Sequence, residues 1–205
     1  MLKIGLLLGV VGHILCGICD CLLSYSPNGK LDLKGGLKNS NRMYEVFEGM
    51  PIKWPLISII LGVYSITIFG FGYIELSKWM LQFSNIASII MYISAIIFLI
   101  SIVVHHIICG LVEWFYIRLG RTEEVREAVL EFQKKTIVTM IIGYLGLAIY
   151  LITLFILVVS RNTYLPQWAC LFNTLAIMVF LLPIKLPAKG NIAGAIMFLG
   201  LMFFI

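Results

Sequence analysis

Charge is scarce in this sequence. Only 12% of its 205 residues are Asp, Glu, Lys or Arg, against 61% hydrophobic residues and a mean hydropathy of +1.03. Soluble domains carry about 25% charged residues, so a soluble core of this composition would lack a polar face to show to water. The charges are also segregated: long stretches have none and the connecting stretches hold nearly all of them, the pattern of transmembrane segments. The net charge of +5 therefore reflects basic loops on one membrane face, and nucleic acid is not an expected partner.

Other absences narrow the reading. The chain contains no H-E-x-x-H, no Walker A loop, no G-x-S-x-G and no G-x-G-x-x-G in a strand context, so the familiar zincin, nucleotide-binding and hydrolase signatures are missing. No apolar segment is rich in arginine, which argues against a voltage sensor. The first apolar stretch has one basic residue ahead of it, Lys3, no A-x-A cleavage site after it, and His13 and Asp20 within it. It reads as a retained helix rather than a secretory signal.

What is present is a series of apolar runs. A span needs roughly 20 apolar residues to cross about 30 Å of hydrocarbon. Candidates cover residues 4–24, 54–75, 86–117, 137–160, 168–184 and 190–205. The expected fold is all-α: a single polytopic helix bundle of about six transmembrane helices. The third run is too long for one upright span, and so is expected to tilt, to begin in the interface or to break near His105. The sixth is short, which leaves five spans as an alternative.

Loop charge sets the orientation. Lys3, Lys78 and Arg161 fall on the N-terminal side. The other twelve basic residues fall on the opposite side, in loops 25–53 and 118–136 and at Lys185 and Lys189. The positive-inside rule makes that second side cytoplasmic and puts both termini outside a cell-type membrane. Trp54 and Trp114 at one level and Trp79 and Trp168 at the other fit as interfacial anchors. Residues 25–53 form a long cytoplasmic loop. Residues 122–135 read as an amphipathic helix capped by Thr122, with Val125, Ala128, Val129 and Phe132 on one face, against the membrane surface or the bundle.

All three histidines, His13, His105 and His106, lie inside apolar runs, and two acids, Asp20 and Glu113, lie well inside them. Ionisable groups at membrane depth are costly, and by default functional. Two of the histidines belong to a duplicated motif. Residues 13–20 read H-I-L-C-G-I-C-D and residues 106–113 read H-I-I-C-G-L-V-E. Each acid lies four residues before its run ends, so the copies are expected at equal depth on two parallel helices. Positions i, i+3 and i+7 share a helix face. His13, Cys16 and Asp20 then make one stripe and His106, Cys109 and Glu113 another. The expected assembly faces the stripes toward each other, as a parallel repeat of spans 1–2 and 3–4. Gly17, Gly110, Gly62 and Gly143 would allow close approach, and Asn173 could add a polar group to the centre.

Two imidazoles, two thiols and two carboxylates are a candidate ligand set for zinc or another transition metal, formed by His13, Cys16, Asp20, His106, Cys109 and Glu113. Without metal, His13, Asp20, His106 and Glu113 are candidate acid–base groups. Helix fastening is the structural alternative, and His105 lies off the stripe. Cys16 and Cys19 form a C-x-x-C, but in an apolar helix without βαβ context they read as span residues rather than a redox pair.

The expected function is a membrane-embedded enzyme, of hydrolase or isomerase type, acting on a lipophilic substrate by metal-assisted or acid–base chemistry. A small proton- or metal-coupled transporter or channel is the alternative, and a non-catalytic sensor or partner protein the third. A transporter needs polar groups at every depth. Here they cluster toward the cytoplasmic half, with Ser94 and Ser101 the main exceptions in the outer half of spans 1 and 3. That favours an enzyme with one-sided access.

Overall fold

A computed structural model describes residues 1–30 and 40–205. The described residues are all-helical in their regular structure apart from a tiny antiparallel hairpin. In order, its elements are α1 (Leu2–Ser24), β1 (Tyr25–Ser26), β2 (Gly29–Lys30), α2 (Ser40–Phe47), α3 (Lys53–Met80), α4 (Asn85–Arg118), α5 (Glu123–Thr136), α6 (Val138–Val159), a 3-10 turn (Gln167–Phe172), α7 (Thr174–Leu181) and α8 (Lys189–Met202). Among the described residues, four helical stretches are long and apolar enough to cross a membrane: α1, α3, α4 and the nearly continuous α5–α6. Their outward residues are large and apolar, including Ile14, Ile60, Ile93, Ile100, Leu145 and Ile156. An apolar exterior of this extent is what a lipid-facing bundle presents.

The last two candidate spans are not full-length helices. Residues 168–184 are divided at Asn173, whose extended backbone (φ −66°, ψ 136°) ends the 3-10 turn and starts the eight-residue α7. Asn173 caps α7 by accepting from the Leu175 N–H at 3.0 Å, and donates its Nδ2–H to the Leu151 carbonyl at 2.8 Å. It thus serves helix α6 and not the polar centre where it was expected. The helix α8 has only 14 residues, about 21 Å at 1.5 Å per residue, which is short of a span.

Helix α3 is the spine. Both α1 and α4 pack along it, and they barely meet each other; α6 covers α4, and α8 covers α1. Close approach of α1 to α3 depends on small residues, as expected when lipid tails compete equally well for apolar surface. At Gly12 a Cβ would overlap the backbone nitrogen of Phe69. Gly110 meets Ile59 of α3 just as tightly, whereas Gly17 has only ordinary contacts around it.

The 34-residue α4 runs unbroken through His105. Its length is used at the basic end, the end that carries loop 25–53. There its last turns run past the start of α3 and join α5 and α2. Met43, Val46, Phe47 and Met50 pack with Ile108, Val112, Tyr116 and Val129 in a separate small core. Val125 and Val129 of α5 are thus turned to the bundle, while Ala128 and Phe132 of the same face stay exposed. Thr122 caps that helix as expected, accepting from the Val125 N–H at 3.3 Å. The remainder of the long loop, residues 31–39, lies outside the described residues.

Candidate functional site

The two motif copies are not given equivalent surroundings. His106 meets α3 at Ser58 and Gly62, where α1 contributes Cys19 and Asp20; His13 meets α3 at Phe69 and Tyr73. The histidine of the second copy is therefore level with the acid of the first. The copies are offset by about seven residues, or about 10 Å along the helix axis. The equal-depth, face-to-face arrangement expected from the repeat gives way for a physical reason: α3 stands between α1 and α4, and each copy packs on a different level of it.

His13 is 4% exposed. Its ring stacks on Phe69 with centroids 4.2 Å apart and planes 4° from parallel. Gly194 of α8 covers the opposite edge, where a Cβ would come within 2.5 Å of the imidazole. Both ring nitrogens are engaged. Nδ1 lies 2.9 Å from Oδ1 of Asn191 and Nε2 lies 3.2 Å from the Tyr73 hydroxyl. The amide oxygen can only accept, so Nδ1 carries the hydrogen; Nε2 then accepts from the Tyr73 O–H. The other end of the same amide donates Nδ2–H to Oδ2 of Asp20 at 2.7 Å.

Asp20 is the hinge of the network. Its second oxygen, Oδ1, stands 3.7 Å from Nδ1 of His106, and its side chain is 35% exposed where that of His106 is 7% exposed. The far side of the His106 ring is fixed. Nε2 is 3.0 Å from the Ser58 carbonyl and 3.3 Å from the Ser58 hydroxyl. That hydroxyl already donates to the Cys19 carbonyl at 2.9 Å. Carbonyl and committed hydroxyl can both only accept, so Nε2 carries a hydrogen. The remaining nitrogen, Nδ1, faces a carboxylate oxygen. At 3.7 Å the pair is within ion-pair reach and beyond a direct hydrogen bond.

Polar side chains continue beyond His13 into the other half of the bundle. The Tyr150 hydroxyl and the Ser77 hydroxyl both donate to the Tyr73 carbonyl, at 2.9 and 2.8 Å, and the Ser88 hydroxyl donates to the Ser77 carbonyl at 2.8 Å. All four residues are buried. Along α3 itself, buried polar side chains run from Ser58 near its start through Ser65 and Tyr73 to Ser77 near its end.

Cys16 lies beside this network, within hydrogen-bond reach of Ser65 and Asn191; the remaining expected site residues stand apart. Cys16 and Cys19 are buried and free, and no disulfide joins them. Cys109 pairs instead with His105: Sγ lies 3.5 Å from His105 Nε2, and His105 Nδ1 lies 3.4 Å from the Thr139 hydroxyl. Glu113 is 6% exposed, and its Oε2 has no hydrogen-bond partner among the described residues. Among the described residues, no group of three or more His, Cys, Asp and Glu side chains is placed to hold a metal ion. His13, Cys16, Asp20, His106, Cys109 and Glu113 are thus not brought together as one ligand set: α8 inserts Asn191 between His13 and Asp20, and the offset carries Cys109 and Glu113 toward the basic end.

Asn191, Ser58 and Tyr73 are the members that the sequence did not single out. Asn191 had a signal, since an amide in the last apolar run is as exceptional as Asn173 in the one before. Serine and tyrosine are ordinary residues in apolar helices and gave none.

No curated protein and no solved structure matches the chain. Residues 1–204 match one family, and the chain belongs to it: a family of unknown function (DUF6796).

Proposed function

We propose that this is a small proton-translocating protein of a cell-type membrane. In this reading it is multi-pass, with both termini outside and loops 25–53 and 118–136 in the cytoplasm. Asp20 and His106 form its proton-exchange site. The observation that carries the reading is the donor–acceptor arithmetic at Asp20. One carboxylate oxygen is occupied by the Asn191 amide, and the other faces a histidine nitrogen whose ring is already committed as a donor on its far side.

Asp20 is the half-open member and provides contact with water at the basic end. The Asn191 amide passes the connection inward to His13 and Tyr73, and Tyr150, Ser77 and Ser88 extend the buried polar groups toward the opposite end. Polar groups at every depth are what a translocating protein needs in hydrocarbon. They also remove the one-sided clustering that favoured a membrane enzyme.

Proteoliposomes enclosing a pH-sensitive dye test the reading. With a potassium diffusion potential driving proton entry, wild-type vesicles should acidify faster than protein-free ones. Asp20→Asn and His106→Gln should bring the rate down by at least about a hundredfold, the scale of lost proton transfer. Wild-type vesicles no leakier than empty ones, at either polarity, end the proton reading.

A further inference from the structure

Apart from the Asp20 network, α4 and α6 build a second constellation. Thr139 Oγ1 donates to the Thr136 carbonyl at 2.8 Å, so its only hydrogen is committed. Toward His105 it can only accept, and the 3.4 Å contact with Nδ1 therefore places a hydrogen on that nitrogen. The lone pair of His105 is left on Nε2, which is the atom 3.5 Å from Cys109 Sγ. The arrangement is a thiol, a base within hydrogen-bond reach of it and a third group that orients the base, the general form of an activated nucleophile. All five cysteines are free, and Cys109 is the one with an imidazole nitrogen at this distance among the described residues.

A second feature adjoins it. One helical turn further along α4, Leu111, Val112, Phe115 and Leu119 face Ala128 and Phe132 of α5 across a groove of about 440 Å³. Glu124 is its one charged wall. From Cys109 to Leu119 is ten residues, about 15 Å of helix. Arg118, exposed and next to Leu119 in the chain, puts positive charge at that far end, while Arg121 donates to the Phe47 carbonyl at 3.1 Å. On the other side of Cys109 the outward residues of this helix pair, such as Val104 and Ile142, are apolar and exposed.

We propose that Cys109 is an acyl-acceptor site for a long-chain acyl thioester. The acyl tail lies against the apolar outer surface around Val104 and Ile142. The thioester carbonyl sits at Cys109, the uncharged arm of the carrier follows the groove, and its phosphates meet Arg118. Cys109 Sγ bonds to the acyl carbon as the bond from that carbon to the carrier sulfur breaks. The thiol proton passes to His105 Nε2 and from there to the departing thiolate. One thioester replaces another, with nothing oxidised or reduced. Thr139 is a positioning residue that holds the His105 tautomer. The site shares no hydrogen bond with Asp20 and stands or falls separately from the proton reading.

The test uses the purified full chain in detergent and alkyne-tagged palmitoyl-coenzyme A, read by fluorescent tagging and by peptide mass spectrometry. The wild type should acquire a hydroxylamine-labile acyl group on Cys109. Cys109→Ser should lose it. His105→Gln should slow acylation by at least about a hundredfold, the scale of a lost general base. Thr139→Val should slow it and Thr139→Ser restore it, which a purely structural threonine would not explain. Mass-spectrometric assignment in the wild type keeps the test decisive if Cys109→Ser fails to fold. No acylation of the folded wild type, or label on Cys16, Cys19, Cys21 or Cys170 in place of Cys109, overturns the proposal.

Discussion

The side-chain amide of Asn191 donates to Asp20 across 2.7 Å and accepts from His13 at 2.9 Å. A single residue of the last helix thereby joins two groups that lie seven residues apart on the first. Asn191→Leu removes a donor to a carboxylate and an acceptor for an imidazole together. Hydrogen bonds to charged groups contribute about 1.5–3 kcal/mol. The variant should lose stability on that scale in a detergent melt, and should lose proton flux as Asp20→Asn does. Flux at the wild-type level in a folded Asn191→Leu protein would remove the amide from the pathway.

Two glycines on the same helix should respond in opposite ways. Gly194 lies against the His13 ring, where a Cβ would come within 2.5 Å, while Gly190 has nothing within 4 Å. Gly194→Ala forces the ring or the helix to shift, and overpacking of this kind costs about 1–3 kcal/mol. Gly190→Ala meets no obstacle and should be neutral or stabilising by up to about 1 kcal/mol, the difference in helix propensity. Thermal unfolding of the two variants side by side checks the docking of α8 on α1.

Glu113 presents the reverse situation. A buried oxygen without a partner costs about 1–3 kcal/mol, so Glu113→Met should raise the unfolding temperature. A fall would show that Oε2 has a partner that the described residues do not supply.

Orientation can be checked at α5, which carries four of the ten acidic residues among its basic ones. A cysteine at Glu127 in a cysteine-free background should be labelled by an impermeant thiol reagent only from the cytoplasmic side. Labelling in intact cells would invert the orientation.

The long apolar helices were legible because a run of apolar residues and a segregation of charge are local properties. So was the cap of α5, since Thr122 and the acids after it act within one turn. The break at Asn173 was not, because an asparagine inside an apolar run reads as a polar group in a helix until its backbone is seen to leave the helix. The polar centre was legible in part. His13, Asp20 and His106 stood out by their cost in an apolar segment. Their connection did not, because it depends on α8 and on the relative heights at which α1 and α4 pack on α3, and sequence spacing within one helix carries no information about height relative to another. The same offset separated Cys109 from His13 and left it with His105, a neighbour one turn away on its own helix.

On the proton-exchange reading, Asp20 and His106 hold one proton between them. Solid-state nuclear magnetic resonance of the histidine ring nitrogens, in lipid bilayers, tests it most directly. His106 should be protonated at Nε2, with an Nδ1 signal that changes when Asp20→Asn removes the carboxylate, and His13 should be protonated at Nδ1 in both proteins. An Nδ1 signal of His106 that is indifferent to Asp20→Asn would contradict it.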